Sequence, residues 1–412
     1  MTQFKSETLK ILSERGFVYQ CTDLEGLDKA LSAGPVTAYC GYDPTAPSMH
    51  IGNLITLMML YWLQQTGHKP ITLMGGATGM IGDPSFRSED RPMMTEETIN
   101  ANIEGLKKAC GPVLKYGDGK NDAQMVNNYD WFKKVSYIDF LRDYGVHFSV
   151  NRMLSYDSVK TRIEREQHMS FLEFNYSLFQ AYDFVELNKN HGCTLQVCGA
   201  DQWANAISGV ELGRKKDNLN LFVLTAPLLL DASGKKMGKS TGNVLWLNPE
   251  VQSDYDYYQY WRNVDDAMVE QLLKMFTTLP MDEVAHLAAL KDAEINEAKK
   301  VLAFEATKIM RGQAAATLAA QTAAETFAGS GRSDNLPKLQ LESSESLSIV
   351  DLIVRAGLAE TKSEAKRLIK GNGIRLNDEA VTDESVVISD NDFVDGSAKL
   401  SAGKKRHVLI VK

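Results

Sequence analysis

His50 and Asn53 stand three residues apart, just after the loop Asp43-Pro44-Thr45-Ala46-Pro47-Ser48. Pro44 and Pro47 fix φ and remove a donor, so this stretch is a loop. The mostly apolar run from Ile51 to Leu63 reads as a buried helix, with Gly67 as its stop. His50 and Asn53 then share one face of its first turn, beside N–H groups that have no intrahelical partner. Such a place can hold a nucleotide anion; a structural hydrogen-bonding histidine is the plainer alternative. Downstream, Gly234-Lys235-Lys236-Met237-Gly238-Lys239-Ser240 carries Lys236, Lys239 and the Ser240 hydroxyl in a loop just past an apolar strand. Lysines and glycines in a surface turn are also commonplace. A third set is spaced i, i+4, i+7: Tyr176, Gln180 and Asp183 fall on one helix face. A buried carboxylate at the end of an apolar stripe is costly unless paired. An internal hydrogen bond or salt bridge would pair it, and so would a polar ligand. A phenol hydroxyl is one donor and one acceptor, which Asp183 and Tyr39 could match.

Short apolar strands must position these groups. They are expected at Val36 to Gly41, Pro70 to Met74, Cys193 to Cys198 and Leu221 to Ala226. Helical stretches separate them, which points to a parallel, doubly wound α/β sheet. In such sheets ligands collect where strand ends meet helix starts. The glycine-rich stretch Gly75 to Pro84 follows the second strand and presents Asp83. It fits neither GxGxxG nor GxxxxGK[ST], so it reads as a tight turn or as a close backbone approach to a ligand. The missing GxGxxG also argues against a nicotinamide-dependent dehydrogenase.

The chain has 412 residues, 44% apolar and 24% charged, with net charge −8. That suits two or three domains and gives no general attraction to nucleic acid. No apolar run reaches the roughly eighteen residues of a membrane span. The N-terminus leads into a polar helix and not into a signal peptide. Five cysteines without CxxC spacing fit a reducing, cytoplasmic setting.

His50-Ile51-Gly52-Asn53 and Lys236-Met237-Gly238-Lys239-Ser240 together resemble the two signatures of the class I aminoacyl-tRNA synthetases. Asn53 replaces a His of the usual pattern, and Gly238 replaces a Ser. Three further stretches narrow the resemblance to the bacterial tyrosyl-tRNA synthetases: Tyr39 to Thr45, Tyr176 to Asp183, and Gly199-Ala200-Asp201-Gln202-Trp203. The resemblance implies a tyrosine–tRNA ligase that makes tyrosyl-AMP from tyrosine and ATP, then transfers tyrosine to the 3′ end of tRNA(Tyr). It implies a Rossmann-like fold with an inserted helical segment at about 121–165 within a catalytic domain over 1–248. An α-helical anticodon-side domain (249–328), a linker (329–345) and a small α+β RNA-binding domain (346–412) would follow.

Residue by residue, the resemblance gives tyrosine contacts to Tyr39, Asp83, Tyr176, Gln180, Asp183 and Gln196. It gives ATP contacts to Gly41, Asp43, His50, Asn53, Gly199, Asp201, Gln202 and Lys239. The catalytic group would be Thr45, His50, Asn53, Lys236, Lys239 and Ser240. Arg87 and Arg91 are candidates for pyrophosphate; a solvated pair of arginines is the alternative. Mg²⁺ is expected to accompany ATP, held by phosphates and water and not by a dedicated protein metal site. A homodimer is implied by the insertion, with no membrane or DNA partner. Near the C-terminus Lys362, Lys366 and Lys370 repeat at i+4, joined by Arg367, Arg375 and Lys404-Lys405-Arg406. A basic helix face is often only solvated. Here the segment resembles a small RNA-binding module shared with a ribosomal protein, which implies phosphate contacts with tRNA.

Overall fold

The computed structural model describes residues 4–85, 94–231, 233–237, 244–327, 336–341, 347–394, 396–403 and 406–412, the side chain of Ser158 excepted. The chain forms two compact units. The first comprises Met1–Ser240, Trp246–Val251 and Ala267–Ala289; the second comprises Thr241–Leu245, Gln252–Asp266 and Leu290–Lys412.

In the first unit six strands form one sheet: β1 Gln20–Cys21, β2 Thr37–Tyr42, β3 Lys69–Met74, β4 Gln124–Asn127, β5 Cys193–Gly199 and β6 Phe222–Ala226. Their spatial order is β1-β6-β5-β2-β3-β4. β2 to β6 pair in parallel, and β1 closes one edge antiparallel to β6. The chain runs outward from β2 to β3 and β4 on one side. It returns through β5 and β6 on the other. The reversal falls between β2 and β5, the place where open α/β sheets bind ligands.

The four expected strands are present, and two are added. β1 is two residues long, too short to carry a pattern. β4 lies inside the stretch read as a helical insertion. Its four residues are all half-buried, so they show no alternation, and their strand character comes from the partner β3. The rest of the insertion is helical, at Tyr129–Phe132, Tyr137–Asp143, Val150–Leu154 and Asp157–Glu164.

Helix α1, Ile51–Gln65, is apolar on nearly every side and buried accordingly. Helix α2, Tyr176–His191, buries a run from Tyr176 to Leu187 that is broken only by Phe179 and Gln180.

Residues 249–328 do not form one helical body. Val269–Phe276 and Met281–Ala288 belong to the first unit. The buried Arg15 guanidinium donates to the carbonyls of Lys274, Thr277 and Leu279 at 3.0, 2.9 and 2.6 Å, and lies over the Trp62 ring of α1. These contacts are long-range and invisible to local periodicity.

In the second unit, helices Asp254–Arg262, Ile295–Arg311 and Gln313–Phe327 precede a five-stranded sheet ordered β7-β11-β10-β8-β9. Its strands are β7 Lys338–Gln340, β8 Ile374–Leu376, β9 Glu379–Ala380, β10 Ser397–Ala402 and β11 Arg406–Val411. β7 falls inside the expected linker 329–345 and pairs in parallel with β11. Leu336 and Leu341 beside it are buried, and Leu336 packs with Tyr255 and Leu409. The linker reading fails for these residues because three residues of strand carry too little pattern to stand out. Helices Ile349–Arg355 and α3, Lys362–Lys370, pack on this sheet.

Candidate active site

A pocket opens at the ends of β2 and β5. Its inner end is built on paired residues of those strands, Tyr39 and Gln196, which lie opposite each other in register. Both are buried, at 1% and 2% exposure. The Tyr39 ring meets Phe184 edge-on at 5.1 Å. The Tyr39 hydroxyl and Gln196 Oε1 are buried and have no hydrogen-bond partner among the described residues. Unpaired buried polar atoms are costly, so two of them facing one pocket call for an explanation.

Asp183 lies at the same end. Its carboxylate accepts from Trp131 Nε1 at 2.8 Å and from Asn128 Nδ2 at 3.1 Å. Burial pushes this carboxyl up to about 8, while those two hydrogen bonds act to lower it and Asp43 and Glu186 to raise it. Burial, with the charge of Asp183 second, holds the Tyr39 phenol protonated. The internal partners left open by the sequence do exist. Each carboxylate oxygen still has room for another donor.

The network continues. Asn128 Nδ2 also donates to Thr78 Oγ1 (3.0 Å), and Thr78 donates to Asp43 Oδ1 (2.6 Å). Tyr176 donates to Asp43 Oδ2 at 2.8 Å. Gly75 makes room for this: a Cβ there would come within 2.1 Å of Asp43 Oδ1 and 2.5 Å of Thr78 Oγ1. The glycine-rich stretch therefore opens space for a side-chain network at this position. Asp83 accepts from the Ser85 N–H (3.0 Å) and from Gln202 Nε2 (2.7 Å), and Gln202 Oε1 accepts from Asn205 (3.1 Å). Gln180 and Thr45 also line the pocket, and Gly41 lines it from β2. Asp43, Asp83 and Asp183 thus face one cavity in which Lys236 is the lone lysine or arginine among the described lining residues.

The outer end is built differently. His50 is the N-cap of α1: its Nδ1 accepts from the Gly52 N–H (3.0 Å), and Asn53 Oδ1 accepts from the His50 N–H (3.1 Å). This reciprocal cap satisfies two of the helix's orphan donors. Both residues are structural caps, then, each committing one side-chain atom to the start of the helix. The His50 ring packs edge-on to Trp246, 6.3 Å away. Asp201 follows β5, and its Oδ1 lies where a Cβ on Gly199 would approach to 2.6 Å. Lys236 closes a hairpin with Leu230 and pairs with Asp201 at 3.3 Å. Gly238, Lys239, Ser240, Arg87 and Arg91 lie outside the described residues.

Thr78, Asn128, Trp131 and Asn205 were not singled out from the sequence. Thr78 sits in a stretch that reads as a turn, and Asn128 and Trp131 sit in one that reads as an insertion. Only the β3–β4 pairing brings them to Asp183.

In the second unit Lys362, Lys366, Arg367 and Lys370 are exposed on α3, and Arg375 is exposed on β8. Lys362 pairs with Asp351 at 2.5 Å and Lys366 with Glu384 at 3.5 Å, while Arg375 donates to the Asp378 carbonyl. Part of the basic face is therefore neutralised locally. Lys404 and Lys405 lie outside the described residues. Among the described residues no helix is long and apolar enough to cross a membrane.

A family model described as tRNA synthetases class I (W and Y) matches residues 31–328, and one described as a tyrosine–tRNA ligase C-terminal domain matches 330–410. A tyrosine–tRNA ligase of Brucella abortus is 54% identical over 414 residues, covering 100% of this chain and 99% of that one. One from Rhizobium meliloti is 53% identical with the same coverage. The crystal structure of a C-terminally truncated Aspergillus nidulans mitochondrial tyrosyl-tRNA synthetase superposes with a TM-score of 0.70 at 31% identity, over 78% of this chain and 94% of that one.

Proposed function

This chain belongs to the tyrosine–tRNA ligase family of class I aminoacyl-tRNA synthetases, and from that premise we propose how its pocket does the work. The enzyme activates tyrosine with ATP to tyrosyl-AMP, releases pyrophosphate, and transfers tyrosine to tRNA(Tyr). The observation that carries the assignment of the pocket is the unpartnered Tyr39 hydroxyl and Gln196 Oε1 beside Asp183. A tyrosine phenol entering there donates to Asp183 and accepts from Tyr39. Asp83, with Tyr176 and Gln180, takes the substrate ammonium at the opposite end of the side chain.

The substrate carboxylate then points toward the outer end. It attacks the α-phosphorus of ATP in line: a carboxyl–phosphorus bond forms, and the bond to the pyrophosphate oxygen breaks. The nucleophile is already an anion, so no general base is required, and rate comes from positioning and charge neutralisation. His50 and Asn53 offer donors at the N-terminus of α1, and Asp201 takes ribose hydroxyls. Lys236, Lys239 and Ser240 meet the phosphate charge. Mg²⁺ arrives on the ATP phosphates, held by them and by water.

Four further readings complete the proposal. Domains follow the boundaries given above, except that 267–289 join the catalytic unit and the C-terminal module begins at about residue 336. Arg367, Lys370 and Arg375 contact tRNA phosphates. The insertion mediates a homodimer, supported by the exposed apolar side chains of Tyr137, Ile138, Val146, Val150, Leu154 and Ile163. The enzyme works in the cytoplasm. Amino-acid-dependent ATP–pyrophosphate exchange tests the core: tyrosine alone among the twenty amino acids should support it, and exchange with tryptophan and not tyrosine would overturn the assignment of the pocket.

A further inference from the structure

Lys236 Nζ lies 3.3 Å from Asp201 Oδ2, with the two side chains 25% and 24% exposed. Lys236 belongs to a hairpin pinned by three backbone hydrogen bonds. Met237 N–H donates to the Leu229 carbonyl at 2.9 Å, Asp231 N–H to that of Lys235 at 2.7 Å, and Gly234 N–H to that of Asp231 at 2.9 Å. The chain continues from Met237 directly into Gly238, Lys239 and Ser240. We propose that the Lys236–Asp201 ion pair is a latch that holds this hairpin at rest, and that the ribose hydroxyls of a nucleoside release it by occupying the Asp201 carboxylate. The latch rests on the reading of Asp201 as the ribose partner.

The geometry makes the two occupants competitors. Asp201 Oδ1 is folded over Gly199, where even a Cβ would come within 2.6 Å. Its Oδ2 faces Lys236. Adjacent ribose hydroxyls bring two donors on one rigid ring, and donors to a carboxylate form strong, charge-assisted hydrogen bonds. An ion pair this open to water is weak, worth about two- to fivefold in population. Weakness is what a latch opened by a ligand requires, because a ligand shifts an equilibrium only by its differential contacts with the two states. Once displaced, the ammonium of Lys236 has the nucleotide phosphates as its next partner. Ribose recognition thus comes first and cation delivery second.

The test is amide hydrogen exchange at Gly234 and Met237 in the full chain, with saturating adenosine and, separately, 2′,3′-dideoxyadenosine. Neither probe carries a phosphate that could draw the lysine. Adenosine should raise exchange at both amides about two- to fivefold, and dideoxyadenosine should leave it unchanged. In Lys236→Met the exchange should already be raised, and adenosine should add nothing. The latch is overturned if calorimetry shows adenosine binding while these amides are unchanged or slowed. It is also overturned if dideoxyadenosine or the Lys236→Met protein gives the same rise with adenosine as the native case. Failure of adenosine to bind at all is a different result: it removes the ribose reading of Asp201, and the latch falls with it.

Discussion

The two ends of the pocket are made of opposite materials. At the inner end the groups are buried or half-buried and most are tied to one another, in the chain Trp131–Asp183–Asn128–Thr78–Asp43–Tyr176. At the outer end Lys236 and Asp201 are partly solvated, and their contact is a single ion pair on a hairpin. A fixed, dry end suits recognition, because a wrong ligand leaves buried polar groups unpaired. A solvated end suits charge that must come and go. The contrast separates binding from chemistry, and mutations should separate along it.

Asp183→Ala should have the largest effect. It removes the phenol's acceptor and takes from Trp131 Nε1, which is half-buried, and from the buried Asn128 amide the partner each has now. A loss of about 3 kcal/mol, roughly 100-fold or more in kcat/KM for tyrosine, is expected in pyrophosphate exchange. An effect under threefold would show that Asp183 does not meet the substrate. At the other end, Lys236→Met should lower the single-turnover rate of activation by about 100-fold, while the tyrosine dissociation constant changes less than twofold. Equal changes in both quantities would erase the contrast between the two ends.

The buried carboxylate also makes stability depend on pH. Asp183 titrates at 3.8 in an unperturbed chain and at about 8 in the fold. Below the first value both states carry the proton and burial costs nothing extra. Between the two values the folded state holds a proton that the unfolded state has released. Unfolding then releases protons, and stability falls as pH rises, down to its full loss above about 8. The ligand-free protein should therefore lose thermal stability from pH 5 to 8 more steeply than Asp183→Asn does. Parallel slopes in the two proteins would contradict this. Binding of a phenol that donates to the ionised form should also release protons near neutral pH, measurable by calorimetry in buffers of different ionisation enthalpy.

A smaller effect is expected in the second unit. Arg367 is exposed on α3, and removing one phosphate contact reduces the salt dependence of nucleic-acid binding by about one unit of slope. Arg367→Ala should do this to tRNA binding and leave tyrosine activation unchanged. An unchanged slope would mean that the basic face is only solvated.

What the sequence carried, and what it did not, follows from how local each feature is. The strands β2, β3, β5 and β6 were legible because each is a short apolar run bounded by turn residues. Tyr176, Gln180 and Asp183 were legible because helical spacing puts them on one face. Asn128 and Trp131 were not, since they reach Asp183 only through the pairing of β4 with β3, and β4 has no pattern of its own. Segment 267–289 was misplaced because its attachment depends on Arg15, some 260 residues away in sequence. His50 and Asn53 were read as donors to a ligand, whereas a helix N-cap also claims one atom of each.

The most direct test of the inner end is Tyr39→Phe, although the expected effect is the smallest of those on catalysis. With no ligand, the variant should be slightly more stable, because a buried hydroxyl without a partner is removed. With ligand, it should lose about 0.5–1.5 kcal/mol, roughly two- to tenfold, in kcat/KM for tyrosine. The value for phenylalanine should stay where it was, so the preference between the two substrates shrinks. Both kcat/KM values falling by the same factor in pyrophosphate exchange would mean that Tyr39 does not touch the phenol hydroxyl.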